Sequence, residues 1–212
     1  RRRRSGCCGL LRFLANQDTV CASAFLLGAA AAAPAQVIFS DDFDANPTGL
    51  NTTPSGWTVA SGTVDTVGPG FFNFYPGNGA YIDLDGSTGD AGVLSRSFSL
   101  VAGATYTASF VLGGSTRGDS NAVNVGFGSA SDSFVLASSA APASYALQFT
   151  PSADGSFSLA FANQGGDNLG ALLLSVRVES VAAAIPEPQT YVLMMAGLAA
   201  TALLARRRRR LG

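Results

Sequence analysis

Carboxylates are the side chains of this sequence whose spacing could support chemistry. Asp83 and Asp85 lie two positions apart, so on a strand their side chains would share one face. A glycosidase needs two carboxyl groups about 5 to 9 Å apart across a sugar, which leaves a glycoside hydrolase open as one function. Because Asp85-Gly86 is also typical of a turn that ends a strand, a non-catalytic role is the alternative.

A second acidic group, formed by Asp41, Asp42 and Asp44, lies near the start of the predicted domain. Ca²⁺ takes about six to eight oxygen ligands, several of them from carboxylates and backbone carbonyls. We therefore predict structural calcium as the one candidate cofactor, bound by these residues. The alternative is a set of solvated turn residues, since Asp favours turns.

Aromatic residues crowd a segment that is rich in Gly and Pro. Aromatic faces can stack on sugar rings by burying apolar area, and this makes carbohydrate binding a further hypothesis. Packing in the core and in turns is the alternative for these residues, and it is the role we expect for Trp57. The candidate ligand-binding residues are Phe72, Phe74, Tyr75 and Tyr81.

Composition excludes several classes of chemistry. The sequence has no His and no Lys, and its three Cys residues all precede the predicted cleavage point. The mature domain therefore cannot carry a Ser-His-Asp or Cys-His triad, the usual zinc ligands or a Schiff-base lysine. Residues 36–185 hold three Arg against twelve carboxylates, a net charge of −9. This charge argues against a nucleic-acid partner.

The first 35 residues have the parts of a secretory signal peptide. A basic start is followed by an apolar run and then by the small-x-small motif Ala33-Pro34-Ala35. We predict export, with cleavage between Ala35 and Gln36. Because the sequence begins with Arg rather than Met, we expect a misplaced start or a fragment.

The C-terminal end has three features in order: Pro186-Glu187-Pro188, the apolar run of residues 191–205, and five arginines. The arginines are typical of a positive-inside anchor, so we predict a transmembrane helix with the domain outside. At about 1.5 Å per residue the run reaches about 22 Å, short of a bilayer core of about 30 Å. Such a length suits a temporary anchor that awaits processing. The predicted anchor residues are Arg206, Arg207, Arg208, Arg209 and Arg210.

This end of the chain resembles the PEP-CTERM sorting signal of Gram-negative bacteria. The resemblance rests on Pro186, Glu187 and Pro188, on the apolar run and on the terminal arginines. It implies recognition by an exosortase, a membrane enzyme similar to a cysteine transpeptidase. It also implies transient residence in the inner membrane, a final place at the cell surface or in the extracellular matrix, and a link to exopolysaccharide and biofilm.

Between the two ends, apolar residues alternate with polar ones, and turn residues separate the runs. Period-two alternation rich in β-branched and aromatic residues predicts half-buried strands. About ten short strands predict an all-β fold, a jelly-roll β-sandwich. The predicted faces are Tyr106/Ala108/Phe110/Leu112, Val123/Val125/Phe127, Tyr145/Leu147/Phe149, Phe157/Leu159/Phe161 and Leu172/Leu174/Val176/Val178.

Several stretches of this domain are similar to the galactose-binding-like jelly rolls of plant cell-wall proteins and bacterial choice-of-anchor surface proteins. They include Gly56-Trp57-Thr58-Val59, Tyr81-Ile82-Asp83-Leu84-Asp85-Gly86 and Gly103-Ala104-Thr105-Tyr106, and the resemblance spans residues 41–181. It implies a β-sandwich that often holds a structural calcium ion near its N-terminal strand.

We therefore predict a signal peptide over residues 1–35, a β-sandwich over 36–181 and a sorting segment over 182–212. The leading hypothesis is a non-enzymatic surface or matrix protein. Its predicted partners are an exosortase, the inner membrane and extracellular polysaccharide, with nucleic acid excluded. The alternatives are a lectin-like carbohydrate-binding module and a glycoside hydrolase that uses Asp83 or Asp85.

Overall fold

The computed structural model describes residues 34–181 and 188–210, and within them the chain forms twelve strands and one helix. The predicted signal peptide, apart from Pro34 and Ala35, lies outside the described residues, as do Pro186 and Glu187. The elements are β1 Gln36–Asp41, β2 Gly49–Thr52, β3 Thr58–Ser61, β4 Val64–Val67, β5 Tyr81–Asp83, β6 Val93–Leu100, β7 Thr105–Gly113, β8 Asn121–Phe127, β9 Ala130–Leu136, β10 Ala143–Phe149, β11 Gly155–Gln164, β12 Leu172–Val181 and α1 Pro188–Arg208.

The strands form two antiparallel sheets that pack face to face. The seven-stranded sheet has the order β10-β7-β12-β5-β4-β2, and β1 also pairs with β12. The five-stranded sheet has the order β3-β6-β11-β8-β9. This arrangement confirms the predicted all-β fold, a jelly-roll β-sandwich.

Strand β7 shows how the alternating pattern builds the core between the sheets. Tyr106, Ala108, Phe110 and Leu112 are all buried, whereas the residues between them are half-buried. The ring of Phe110 meets the ring of Phe161 from the opposite sheet edge to face, with centroids 5.2 Å apart. The prediction that these four residues share the core face is confirmed. We call the apolar cluster between the two sheets the inner core.

One predicted face is wrong, and a β-bulge is the reason. The pairing of β12 with β7 shifts register between Leu173 and Ser175. Because one extra residue reverses the alternation, Leu173 packs in the inner core while Leu172 and Leu174 pack on the outer face of the seven-stranded sheet. Only Val176 and Val178 of the predicted set reach the inner core.

The strand directions give the sandwich two different ends. The first residue of β12, Leu172, pairs with Asp83 at the end of β5. The last, Val181, pairs with Thr105 at the start of β7. We call the end that holds Leu172 and Asp83 the site end. We call the end that holds Val181 and Thr105 the tether end, because the segment that leads to α1 leaves from Val181. Ten residues of β12 separate them, about 30 Å at roughly 3.3 Å per residue.

Helix α1 begins at Pro188, a favourable first helical position for proline, and carries Arg206–Arg208 in its last turn. Its described side chains, from residue 191 onward, are exposed. Within residues 34–181 and 188–210, no helix is long and apolar enough to cross a membrane. The C-terminal helix predicted from the sequence is present as α1, over Pro188–Arg208.

Candidate functional site

A long loop, residues 68–80, covers part of the outer face of the seven-stranded sheet. Alternation along β4 and β5 turns Val64 and Ile82 into the inner core and the neighbouring Asp65 and Asp83 to the outer face. The apolar residues under the loop form a second, smaller cluster, which we call the outer cluster. It consists of Val67, Tyr81, Leu172 and Leu174, with Phe71, Phe74, Tyr75 and Val111 packed against them.

Tyr75 attaches the loop to the rest of the domain. Its hydroxyl group donates to the carbonyl oxygens of Gly114 and Ala140, each at 2.9 Å. Its backbone N–H donates to the hydroxyl oxygen of Tyr81 at 2.9 Å. Burial raises the pKa of Tyr75 and of Tyr81 above the ordinary tyrosine value. Both hydroxyls therefore stay protonated at neutral pH and hold the loop in place.

Two phenylalanines of this loop form an aromatic surface, in which Phe72 is exposed and Phe74 is half-buried against the outer cluster. Phe72 is 57 % exposed, and its ring lies at 14° to the ring of Phe74, with centroids 6.4 Å apart. The backbone of Phe72 has a φ of +49°, in the left-handed region that bulky residues rarely adopt. We call Phe72 and Phe74 the aromatic platform.

A buried ion pair lies beside the platform. The Nη2 atom of Arg117 is 2.5 Å from Oδ2 of Asp83, and Nη1 donates to the carbonyl oxygen of Asn168 at 2.9 Å. The guanidinium carbon of Arg117 lies 4.8 Å from the centre of the Phe74 ring. Asp83 is 2 % exposed and Arg117 is 23 % exposed. The pair therefore joins a buried carboxylate to a cation that reaches the surface next to the platform.

Burial raises the pKa of Asp83 to about 7, and the nearby carboxylate of Asp65 adds to the rise. The charge of Arg117 and the backbone N–H of Asp85 act in the opposite direction but do not offset the burial. Asp65 is stabilised by Ser87, whose hydroxyl and N–H donate to it at 2.6 and 3.2 Å. Within residues 34–181, the outer face thus places two buried carboxyl groups, those of Asp65 and Asp83, beside one cation, Arg117.

The structure does not support a catalytic carboxylate pair. Strand β5 ends at Asp83, so Asp85 lies in the following turn rather than on the same strand face. Asp85 is fully buried, accepts a hydrogen bond from the N–H of Gly166 at 2.9 Å, and has a pKa raised by burial. Neither carboxylate is accessible to a substrate at the surface.

The three carboxylates predicted to bind calcium hold the backbone instead. Asp41 accepts from the N–H of Phe43 and from Nε1 of Trp57, each at 2.8 Å. Asp42 accepts from the N–H of Asp44 at 3.2 Å, and Asp44 accepts from the N–H of Ala80 at 2.7 Å. In the part of the chain that the structure describes, no three metal-ligating side chains form a group that could hold an ion. Calcium at these residues stays a prediction.

The structure brings together only part of the predicted ligand-binding set. Phe72 and Phe74 form the platform, and Tyr75 is half-buried behind it. Tyr81 is fully buried, so the prediction that it contacts a ligand is wrong. Sequence reasoning missed Arg117, although its position as one of three cations in an acidic domain was a usable signal.

The comparisons with known proteins identify the C-terminal segment. The sequence profile of the PEP-CTERM protein-sorting motif matches residues 184–210. The chain therefore carries this motif, as the resemblance predicted, and the motif implies an exported protein that transits a membrane and is processed by an exosortase. No curated protein matches the sequence.

Several solved structures are similar in architecture. The CBM22-1 xylan-binding domain from Paenibacillus barcinonensis Xyn10C has a TM-score of 0.49 and 14 % identity, with 73 % of this chain and 100 % of that chain covered. The CBM22-1-CBM22-2 tandem domain of the same protein has a TM-score of 0.46 and 16 % identity, covering 76 % and 49 %. The K3 cleaved adhesin domain of Lys-gingipain from Porphyromonas gingivalis has a TM-score of 0.42 and 15 % identity, covering 71 % and 100 %. A likeness at this level says nothing about what this chain binds.

Proposed function

We propose that the chain is a non-enzymatic exported protein that an exosortase sorts to the cell surface or extracellular matrix of a Gram-negative bacterium. There its β-sandwich binds extracellular polysaccharide through the aromatic platform and contributes to a biofilm. The sorting motif supports export and processing. The binding activity rests on the geometry of the outer face.

The observation that carries the proposal is the exposed ring of Phe72, which lies nearly parallel to the half-buried ring of Phe74. Exposed aromatic rings leave apolar area in water, and a sugar ring that stacks on them removes that area. Polar groups that could bond sugar hydroxyls are the exposed amides of Asn73 and Asn78 in the same loop, and the guanidinium of Arg117 against the Phe74 ring. An apolar face with a few polar groups beside it is typical of a ligand site.

The position of the Arg117–Asp83 pair in the sandwich also supports binding of an external ligand. Arg117 pairs with Asp83, which marks the site end of the sandwich. The chain leaves the sandwich toward the sorting segment from Val181, at the other end of β12. A sorting enzyme that acts near Pro188 would therefore approach the domain from the end away from the Arg117–Asp83 pair.

Glycan binding by the full chain tests the proposal. Phe72→Ala should abolish binding, because the outermost ring of the platform is lost. Val135→Ala is the matched control, since Val135 is 76 % exposed on β9 of the other sheet. Binding equal to wild type in Phe72→Ala, or release of sugar that Asp83→Asn abolishes, would overturn the proposal, the latter in favour of a glycoside hydrolase.

Processing near Pro188 is tested separately in cells. Replacing Pro186, Glu187 and Pro188 with alanine should trap the full-length chain in the inner membrane, because the sorting motif that the enzyme recognises is lost. Replacing Gln189 and Thr190 with alanine is the control, because these neighbouring residues lie outside the Pro-Glu-Pro sequence. If the triple variant reaches the surface and is processed as efficiently as wild type, the motif is only a spacer.

A further inference from the structure

We infer that the site binds an uncharged glycan and excludes polysaccharides that carry carboxylate or sulfate groups. This inference rests on the proposed function and adds to it the chemical class of the ligand. It follows from where the positive charges of the domain are and from what they already contact.

Each of the three arginines within residues 34–181 already contacts another group of the domain. Arg177 donates from Nη2 and Nε to Oε1 of Glu179, at 2.7 and 2.9 Å. Arg96 stacks its guanidinium 4.1 Å from the centre of the Phe39 ring and donates to the carbonyl oxygen of Gly56. Arg117 is the one cation of this described segment beside the platform, and Asp83 balances it.

The surroundings of Arg117 are acidic. Asp65 is the cross-strand partner of Asp83, and Asp85 follows two residues later. Asp119 lies two residues after Arg117 in the same loop, and Asp167 precedes the carbonyl group that Arg117 bonds. With the net charge of −9 over residues 36–185, the potential at the platform is negative, and it repels an approaching polyanion.

Binding of a neutral sugar does not depend on these charges. Stacking on Phe72 depends on apolar area, which ionic strength changes little, whereas repulsion of a polyanion is strongest at low salt. An anionic sugar would have to displace Asp83 from Arg117, and the displaced carboxylate would then remain buried without its partner. The two classes of glycan are therefore distinguished by charge and by salt dependence.

Affinity electrophoresis tests the inference on the full chain with Arg1–Arg4, Arg12 and Arg206–Arg210 replaced by glutamine, so that these arginines cannot hold a polyanion. With chelator present, the polymers are neutral β-glucan, xylan and galactan, and polyuronate and sulfated galactan. We expect retention by at least one neutral polymer, unchanged by salt, and none by either polyanion at low salt. Retention by a polyanion overturns the inference and leaves the proposed function standing. A folded protein that no polymer retains overturns both.

A charge variant sharpens the test. Asp83→Asn removes the carboxylate that neutralises Arg117, so uronate binding should rise about tenfold, the least expected of a charge-assisted hydrogen bond. Asp132→Asn makes the same change in net charge at an exposed position on β9 and should give no gain. An equal gain in both variants would show that total charge, rather than Arg117, decides the exclusion. If Asp83→Asn fails to fold, the wild-type comparison still decides the inference.

Discussion

The inner core and the outer cluster lie on opposite faces of the same seven-stranded sheet, and they differ in what covers them. A second sheet covers the inner core, where aromatic rings such as Phe110 and Phe161 meet at 5.2 Å. A single loop covers the outer cluster, which shares its face with the buried carboxylates Asp65 and Asp83. Tyr75 attaches that loop through its hydroxyl group, whose single proton is shared by the carbonyl oxygens of Gly114 and Ala140.

The two faces of the seven-stranded sheet therefore differ in how burial affects the stability of the fold. Burying an apolar ring between sheets stabilises the fold, whereas burying Asp83 raises its pKa to about 7 and so destabilises its charged form. A face selected only for stability would not bury such a group, and perturbed carboxylates concentrate at functional sites. The inner core therefore carries the folding stability, and the perturbed carboxylate on the outer face agrees with the proposal that this face binds a ligand.

Truncation of the inner core should have the largest effect. Phe110 is 1 % exposed and contacts the rings of Phe134, Tyr145 and Phe161. Phe110→Ala should lower the free energy of unfolding by about 3 to 5 kcal/mol, from lost burial and the cavity left behind. Denaturant unfolding measures this. A loss below about 1 kcal/mol, typical of surface positions, would remove the distinction between the two clusters.

The pH dependence of stability should come next. Because the folded-state pKa of Asp83 is raised from 3.8 to about 7, its protonated form favours folding. That contribution is complete below about pH 4 and is lost as pH rises through about 7, on the order of 2 to 4 kcal/mol. The difference in unfolding free energy between wild type and Asp83→Asn should shrink or reverse along this rise. A difference that is constant from pH 4 to 8 would contradict the raised pKa.

Calcium tests the acidic group at the start of the domain. If Asp41, Asp42 and Asp44 bind Ca²⁺ in the folded state alone, an excess of about a hundredfold over Kd adds about 2.7 kcal/mol. The melting temperature should then rise with millimolar Ca²⁺ and fall with chelator, and Asp42→Asn should reduce the shift. Asp132→Asn is the control. A melting temperature that neither addition changes would reject calcium binding.

The loop attachment should contribute less. Tyr75→Phe removes the hydroxyl group that donates to Gly114 and Ala140, and should cost about 1 kcal/mol. Tyr145→Phe is a matched control, because the Tyr145 hydroxyl makes no hydrogen bond within residues 34–181. Tyr75→Phe should also weaken glycan binding, since the loop carries the platform. Equal stability losses in the two variants would indicate that the hydroxyl does not hold the loop.

The smallest effect on stability is expected at the platform itself. Phe72 is 57 % exposed, so Phe72→Ala should change the free energy of unfolding by no more than about 0.5 kcal/mol. Phe72→Ala should nevertheless abolish glycan binding. A stability loss comparable to that of Phe110→Ala would make Phe72 a structural residue and leave the outer face without a function.

The sequence predicted the fold well wherever the alternation is regular. Tyr106, Ala108, Phe110 and Leu112 reach the inner core as expected, because nothing interrupts the pleat of β7. Leu172 and Leu174 do not, because a bulge is a feature of pairing between two strands and leaves no mark in the pattern of one.

The site was predicted only in part, for a related reason. The aromatic segment is continuous in sequence, so its crowding was visible. Arg117 lies 34 residues from Asp83, and only the strand order brings them together. The burial of Tyr81 was also hidden, since a tyrosine beside exposed aromatic residues has the same local pattern whether it faces solvent or the sheet.

A cleft at the tether end provides the alternative location for a ligand. It is lined by serine hydroxyls and by the rings of Phe149 and Phe157, whose centroids are 4.9 Å apart. Phe149 is 8 % exposed, so it offers little ring area for stacking. The account therefore favours the platform over this cleft.

Chemical-shift mapping by NMR shows whether a glycan binds at the platform or at the tether end. A neutral oligosaccharide that binds is titrated into the isotopically labelled full chain in detergent. The account predicts shifts at Phe72, Phe74 and Arg117 that saturate together, with none at the tether end. Saturating shifts confined to Phe149 and Phe157, with the platform unchanged, would contradict it.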